Sequence, residues 1–145
     1  MNKKKAFDFL EHTADAYVAA YGEDLAQAFE NAAVAMFEVM TEVAKIEEKI
    51  EEYVEVQAED EFALLYSWLE DLLVKFDVNA MLYSRFKVSN ISRTPEGFQL
   101  KAKIWGEKFS TKKHVQKVGV KAITYHRMEI IKQPKNVTVK YILDI

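Results

Sequence analysis

No cysteine occurs among the 145 residues. That absence removes disulfides, thiolate metal sites and cysteine nucleophiles together, and it suits a reducing compartment. Glycine appears four times and proline twice. No glycine-rich phosphate loop is present, and no serine stands in a nucleophile-elbow pattern. No two histidines have metal-ligand spacing. No apolar run is long enough to span a bilayer, and the basic start, Met1 to Lys5, leads into no apolar signal core. The protein is therefore expected to be cytoplasmic. An excess of one charge is missing too. Twenty basic and 23 acidic side chains leave a net charge of −3, which gives no overall field for a phosphate backbone.

What is present is a core. Half the residues are hydrophobic and 12% are aromatic, which excludes a disordered chain. A domain of this length buries roughly two thirds of its unfolded surface and needs no staple. Acidic residues crowd the first half, while Lys101, Lys103, Lys108, Lys112, Lys113, Lys117 and Lys121 crowd one later stretch. Such a run reads as a solvated face.

Hydrophobic spacing predicts the elements. Ala6 to Leu10 and Asp15 to Tyr21 read as short strands. Gly22-Glu23-Asp24 then opens a helix, with Asp24 as N-cap and Gln27 three residues on, a variant of the capping box. Leu25, Phe29, Ala32, Ala33, Met36, Phe37 and Met40 repeat at helical spacing and read as core. Tyr53 to Ala58 alternates as a strand. Asp60 introduces a second helix whose face carries Phe62, Leu65, Leu69, Leu72 and Phe76, widened by Leu64, Trp68 and Leu73. That face is too broad for a coiled-coil seam and suits a sheet. Phe86 and Val88 precede a Thr94-Pro95-Glu96-Gly97 turn. Phe98 to Ile104 alternates cleanly with Gln99, Lys101 and Lys103. Ser110 to Lys117 reads as one or two helical turns. Val118 to Tyr125, Met128 to Lys132 and Val137 to Ile145 read as strands, the last two joined by a turn at Gln133 to Asn136. The expected fold is one α+β domain, with two long helices on a largely antiparallel or mixed sheet.

Chemistry is sparse. Asp144 is the penultimate residue of an otherwise apolar, β-branched strand, beside the carboxylate of Ile145. Asp15 heads an early strand and adds a third oxygen donor if the first and last strands approach each other. Clustered carboxylates repel unless a cation joins them. Oxygen donors favour a hard ion, calcium, magnesium or manganese, over zinc. Terminal acids are also commonly just solvated, and chemistry alone leaves both readings open. The histidines, His12, His114 and His126, suit hydrogen bonding, support of a metal's ligands or partner contact.

Several motifs occur in a fixed order: Glu11-His12-Thr13-Ala14-Asp15; Gly22 followed by Leu25 to Phe29 and Ala32-Ala33; Phe62-Ala63-Leu64-Leu65 with Trp68-Leu69; Val120-Lys121-Ala122-Ile123-Thr124-Tyr125-His126; and Leu143-Asp144-Ile145. Together they resemble the archease family over essentially the whole chain. The resemblance implies an accessory protein of the RtcB-type tRNA-splicing RNA ligase, without stand-alone catalysis. Such a protein promotes guanylylation of the ligase with GTP, allows repeated turnover, and widens nucleotide choice. It meets tRNA only through the ligase. The family's metal site maps onto Asp15, Asp144 and the carboxylate of Ile145, with calcium expected first in the isolated protein. His12, Lys121, Thr124 and His126 are the polar motif residues expected to face the partner. Two rival readings stand beside this one. One is a general assembly chaperone for RNA-processing enzymes. The other is a metal-dependent hydrolase with Asp15 and Asp144 as ligands and His12 or His126 as base.

Overall fold

The structure is a computed structural model that describes residues 5–10 and 15–145. Its elements run β1 (Phe7–Leu10), β2 (Ala16–Gly22), α1 (Leu25–Met40), β3 (Ile50–Ala58), α2 (Glu61–Asn79), β4 (Met81–Thr94), β5 (Gly97–Lys108), β6 (Ala122–Gln133) and β7 (Asn136–Asp144). A single 3-10 turn, Val43–Lys45, follows α1.

The α+β class and the antiparallel pairing are as expected, but the strands divide into two sheets. One has the order β1-β2-β7-β6 and the other β3-β5-β4. All pairs are antiparallel. The helices join the sheets: α1 packs on β2 and β7 of the first and on β4 of the second, and α2 packs on β6 and on β3 and β5. A helix with sheets on two sides needs apolar residues around much of its circumference. Accordingly Ala28, Phe29, Ala32, Ala33, Ala35, Met36, Phe37 and Met40 are all buried.

Both helix starts follow from local chemistry. Asp24 accepts the Gln27 N–H at 2.8 Å and Asp60 accepts that of Ala63 at 2.8 Å, each satisfying a donor that the first helical turn leaves open. Gln27 reaches back to the Glu23 N–H at 2.6 Å, one residue earlier than in the usual capping box. Gly22 permits the tight entry, because a Cβ there would run into the main chain of Gln27 and Ala28. Buried polar groups then tie elements together. The Trp68 indole donates to the Phe29 carbonyl at 2.9 Å, linking the helices, and the Tyr141 hydroxyl donates to Ala32 O at 2.6 Å, linking β7 to α1.

Three expectations about the second half are corrected. Residues 110–117 are not helix: 111–114 form a single turn closed by the Lys113 and His114 N–H groups on the Ser110 carbonyl, and 115–117 are irregular, with the Lys117 N–H held by the Met40 carbonyl. Residues 118–121 are not strand; β6 begins at Ala122. Tyr125 to Met128 does not divide two strands. It lies within β6, where pairing with β7 is interrupted between Thr124 and Glu129 and Arg127 takes a φ of 57°. A bulge of this kind turns a strand without ending it.

Candidate functional site

The first and last long strands of the sheet, β2 and β7, lie side by side. Their register runs from Gly22 opposite Val137 to Ala16 opposite Leu143. One step further along this antiparallel ladder, Asp15 and Asp144 stand at the same end of neighbouring strands. Facing Cα atoms in such a pair are about 5 Å apart. The condition set by the sequence, that the two strands approach, is met.

On the other side of β7, Asp144 pairs with Ala122 of β6, and the Lys121 N–H donates to the Asp144 carbonyl at 2.7 Å. Asp15, Asp144 and Ile145 are all half-buried. The Ile145 side chain packs against the core, which holds the end of β7 in place where an unpacked terminus would fray. Lys121 is exposed beside this end. Thr124 sits two residues into β6 with its hydroxyl donating to the Ile142 carbonyl at 3.0 Å. His126 is exposed in the bulge, further along the strand. The structure thus brings Asp15, Asp144, Ile145 and Lys121 to one end of three adjacent strands, and sets Thr124 and His126 progressively away from it. His12 lies outside the described residues.

The donor chemistry at this end suits a hard ion, since two side-chain carboxylates and a terminal carboxylate offer only oxygen. Among the described residues no group of three or more His, Cys, Asp or Glu side chains is arranged to hold an ion. The Ile145 carboxylate, which is not a side chain, would have to complete the set.

A second polar cluster was not legible in the sequence. Glu107, on β5, is buried together with His114. The Ser110 N–H donates to His114 Nδ1 at 2.9 Å, so the ring's proton is on Nε2, which lies 2.9 Å from Glu107 Oε2. Lys113 also pairs with Glu107, at 2.7 Å, and with Glu47, while the Glu47 N–H donates to Glu107 at 2.8 Å. Burial pushes the Glu107 carboxyl up, but these donors outweigh it and hold the group at about 2. Two members of the expected lysine face are therefore committed to structure. Lys113 closes this cluster, and Lys117 caps α1: its N–H donates to Met40 O at 3.0 Å and its ammonium to Glu38 O at 3.0 Å and Glu38 Oε2 at 2.6 Å. The last turn of α1 carries no basic residue of its own, and Lys117 supplies the positive charge that a helix C-terminus favours. Spacing alone gives no signal for such pairings: Glu47 and Glu38 are 66 and 79 residues from their lysines, and the 6 or 7 residues from Glu107 to Lys113 and His114 cross from β5 into a turn, where neither helix nor strand periodicity applies.

The chain is a two-sheet α+β domain in which β2 and β7 bring Asp15 and Asp144 to a common end. Residues 7–145 match the model of the Archease protein family (MTH1598/TM1083). An archease of Sulfurisphaera tokodaii is 46% identical over 139 residues, covering 96% of this chain and 98% of the relative. One of Pyrococcus abyssi is 46% identical over 130 residues, covering 90% and 91%. The solution structure of protein 1598 of Methanobacterium thermoautotrophicum superposes with a TM-score of 0.81 at 39% identity, covering 97% of this chain and 99% of that one. The chain belongs to the archease family. A crystal structure from Thermotoga maritima, described as an archease and possible chaperone, shares the fold at a TM-score of 0.58 and 20% identity, over 100% of this chain and 98% of that one.

Proposed function

We propose that this protein is an accessory factor, not itself an enzyme, that activates an RtcB-type RNA ligase in tRNA splicing. It would promote guanylylation of the ligase with GTP and repeated turnover, and broaden the choice of nucleotide. The observation that carries this reading at the level of the site is the convergence of Asp15 and Asp144 on one strand end, where the family's acidic motif residues fall. The Thermotoga maritima relative is described as a possible chaperone, which agrees with an accessory role.

A divalent ion, calcium first and magnesium or manganese as alternatives, would be held by Asp15, Asp144 and the Ile145 carboxylate. Bound there, it would neutralise repelling carboxylates and tie β2 to β7. The protein's own residues then define what the partner meets: a fixed acidic strand end, Lys121 beside it, and Thr124 and His126 along β6, while His12, outside the described residues, is kept as a partner-contact candidate from the family motif alone. A partner protein shifts the ligase toward its guanylylation-competent arrangement only by binding that arrangement more tightly than the resting one. Catalysis of phosphoryl transfer rests largely on positioning, so stabilising one geometry is enough to raise the rate. tRNA is reached through the ligase.

The test is turnover. A matched ligase is given excess RNA ends with and without this protein, and ligated product per ligase molecule is counted. Product well beyond one per ligase, only with the protein present, is expected. If the ligase stops after a single round in both cases, the activator reading fails. Suppressed aggregation of many unrelated RNA-processing enzymes would then favour the general chaperone.

A further inference from the structure

The motif from Val120 to His126 contains one large aromatic residue, Tyr125, that the acidic strand end does not use. Its ring stacks on Tyr66 of α2, with centroids 4.5 Å apart and planes 6° from parallel. Tyr125 is nevertheless 53% exposed, so Tyr66 covers one face of the ring and the other is open. Phe62, one helical turn before Tyr66, is 43% exposed and extends the aromatic surface along α2.

Charge says what such a surface takes. Between Lys49 and Lys75 the chain has no lysine, arginine or histidine. Burial first, and then the charges of Asp60, Glu59 and Glu70, push the Tyr125 hydroxyl above its ordinary range. On Tyr66 burial again comes first, followed by the charge of Glu70, one helical turn on. Asp60 accepts the Ala63 N–H, a neutral donor that leaves its charge in place. The neighbouring lysines are taken elsewhere, Lys132 by Glu61 and Lys75 by Asp71. Among the described residues Glu59, Asp60 and Glu70 form no ion pair.

An open aromatic face with carboxylates around it is complementary to a cation that is itself flat. A guanidinium stacks on the Tyr125 ring while its N–H fork meets the carboxylates, whereas an ammonium answers the charge alone. Nucleic-acid bases also stack on tyrosine, but these carboxylates repel the phosphates that accompany them. We infer that the Tyr66–Tyr125 stack, rimmed by Glu59, Asp60 and Glu70, is a docking site for an arginine side chain of a partner protein. Tyr125 stands three residues along β6 from Ala122, the residue opposite Asp144, a distance of about 10 Å. A partner bound at the acidic strand end therefore reaches it. That the partner is the RNA ligase rests on the proposed function; the chemistry of the stack does not.

Two measurements test the proposal. In the first, the isotope-labelled full chain is titrated with a blocked Gly-Arg-Gly peptide, and amide shifts are followed. The same peptide with citrulline keeps the plane without the charge, and with lysine it keeps the charge without the plane. Shifts centred on Tyr66, Tyr125 and Glu70, with arginine bound more tightly than lysine and citrulline not bound, are expected. Tyr125→Leu should weaken the arginine peptide by roughly threefold to fivefold, and Tyr125→Phe should restore it. Lysine bound as tightly as arginine, or arginine binding unmoved by Tyr125→Leu, is general attraction to an acidic surface and overturns the site. In the second, capture of the ligase is compared for native protein and Tyr125→Leu. A loss of about tenfold or more, as for a desolvated stack, supports the ligase as the source of the arginine. Capture unchanged by the substitution overturns that assignment. No capture at all by native protein is a failure of the ligase reading, and arginine binding in the first experiment would stand apart from it.

Discussion

Glu107 shows how one residue can matter without belonging to the candidate site. Its carboxylate is buried, held at about 2 against an ordinary 4.5, and joined to His114, Lys113 and the Glu47 main chain. A carboxyl depressed in the folded state contributes stability that is complete above its unfolded pKa and lost as pH falls through the folded one. Stability should therefore decline between about pH 4.5 and 2, and Glu107→Gln should flatten that part of the curve in urea denaturation across the range. At neutral pH the same variant should be less stable by about 1–3 kcal/mol, because three donors lose a charged acceptor. None of this was readable beforehand. A glutamate at the end of an alternating strand looks solvent-facing until residues 110–114 fold over it.

At the scale of elements, the parts legible in the sequence are those decided locally. Asp24 and Asp60 cap their helices because the side chain and its target N–H are three residues apart. Residues 110–121 misled for the converse reason, since the bonds fixing them go to Glu107, Met40, Glu38 and Asp144. The continuity of β6 was hidden by its bulge, where exposed Tyr125, His126 and Arg127 break the alternation that marks a strand. The C-terminus of α2 offers a sharper test. Ala80 ends it in the left-handed conformation, φ 57° and ψ 31°, which an alanine adopts at a cost because of its Cβ. Ala80→Gly should therefore stabilise the protein by about 0.5–1 kcal/mol, raising the midpoint of thermal unfolding. A fall in the midpoint would show that the Ala80 side chain contributes packing that outweighs the strain.

For the molecule as a whole, composition and periodicity pointed to α+β architecture but not to its division into two sheets. Which strands pair is set by packing against α1 and α2, and alternation carries no partner label. The candidate site was half legible. The acids at Asp15 and Asp144 were visible in the sequence, but only the register of β2 with β7 puts them at one end. If Ile145 supplies a carboxylate there, appending a few residues after it turns that ligand into an amide carbonyl. Calcium binding by titration calorimetry should then weaken by at least tenfold, while the fold is unchanged by circular dichroism. Equal affinity with the extension would remove Ile145 from the ligand set.

The most direct test of the whole account is uptake of labelled GTP by a competent RNA ligase, with native protein or Asp144→Ala added. Faster formation of the guanylylated ligase with native protein, and the unassisted rate with the variant, is the predicted result. Equal acceleration by both would contradict the role given to the acidic strand end, and acceleration by neither would contradict the activator function itself.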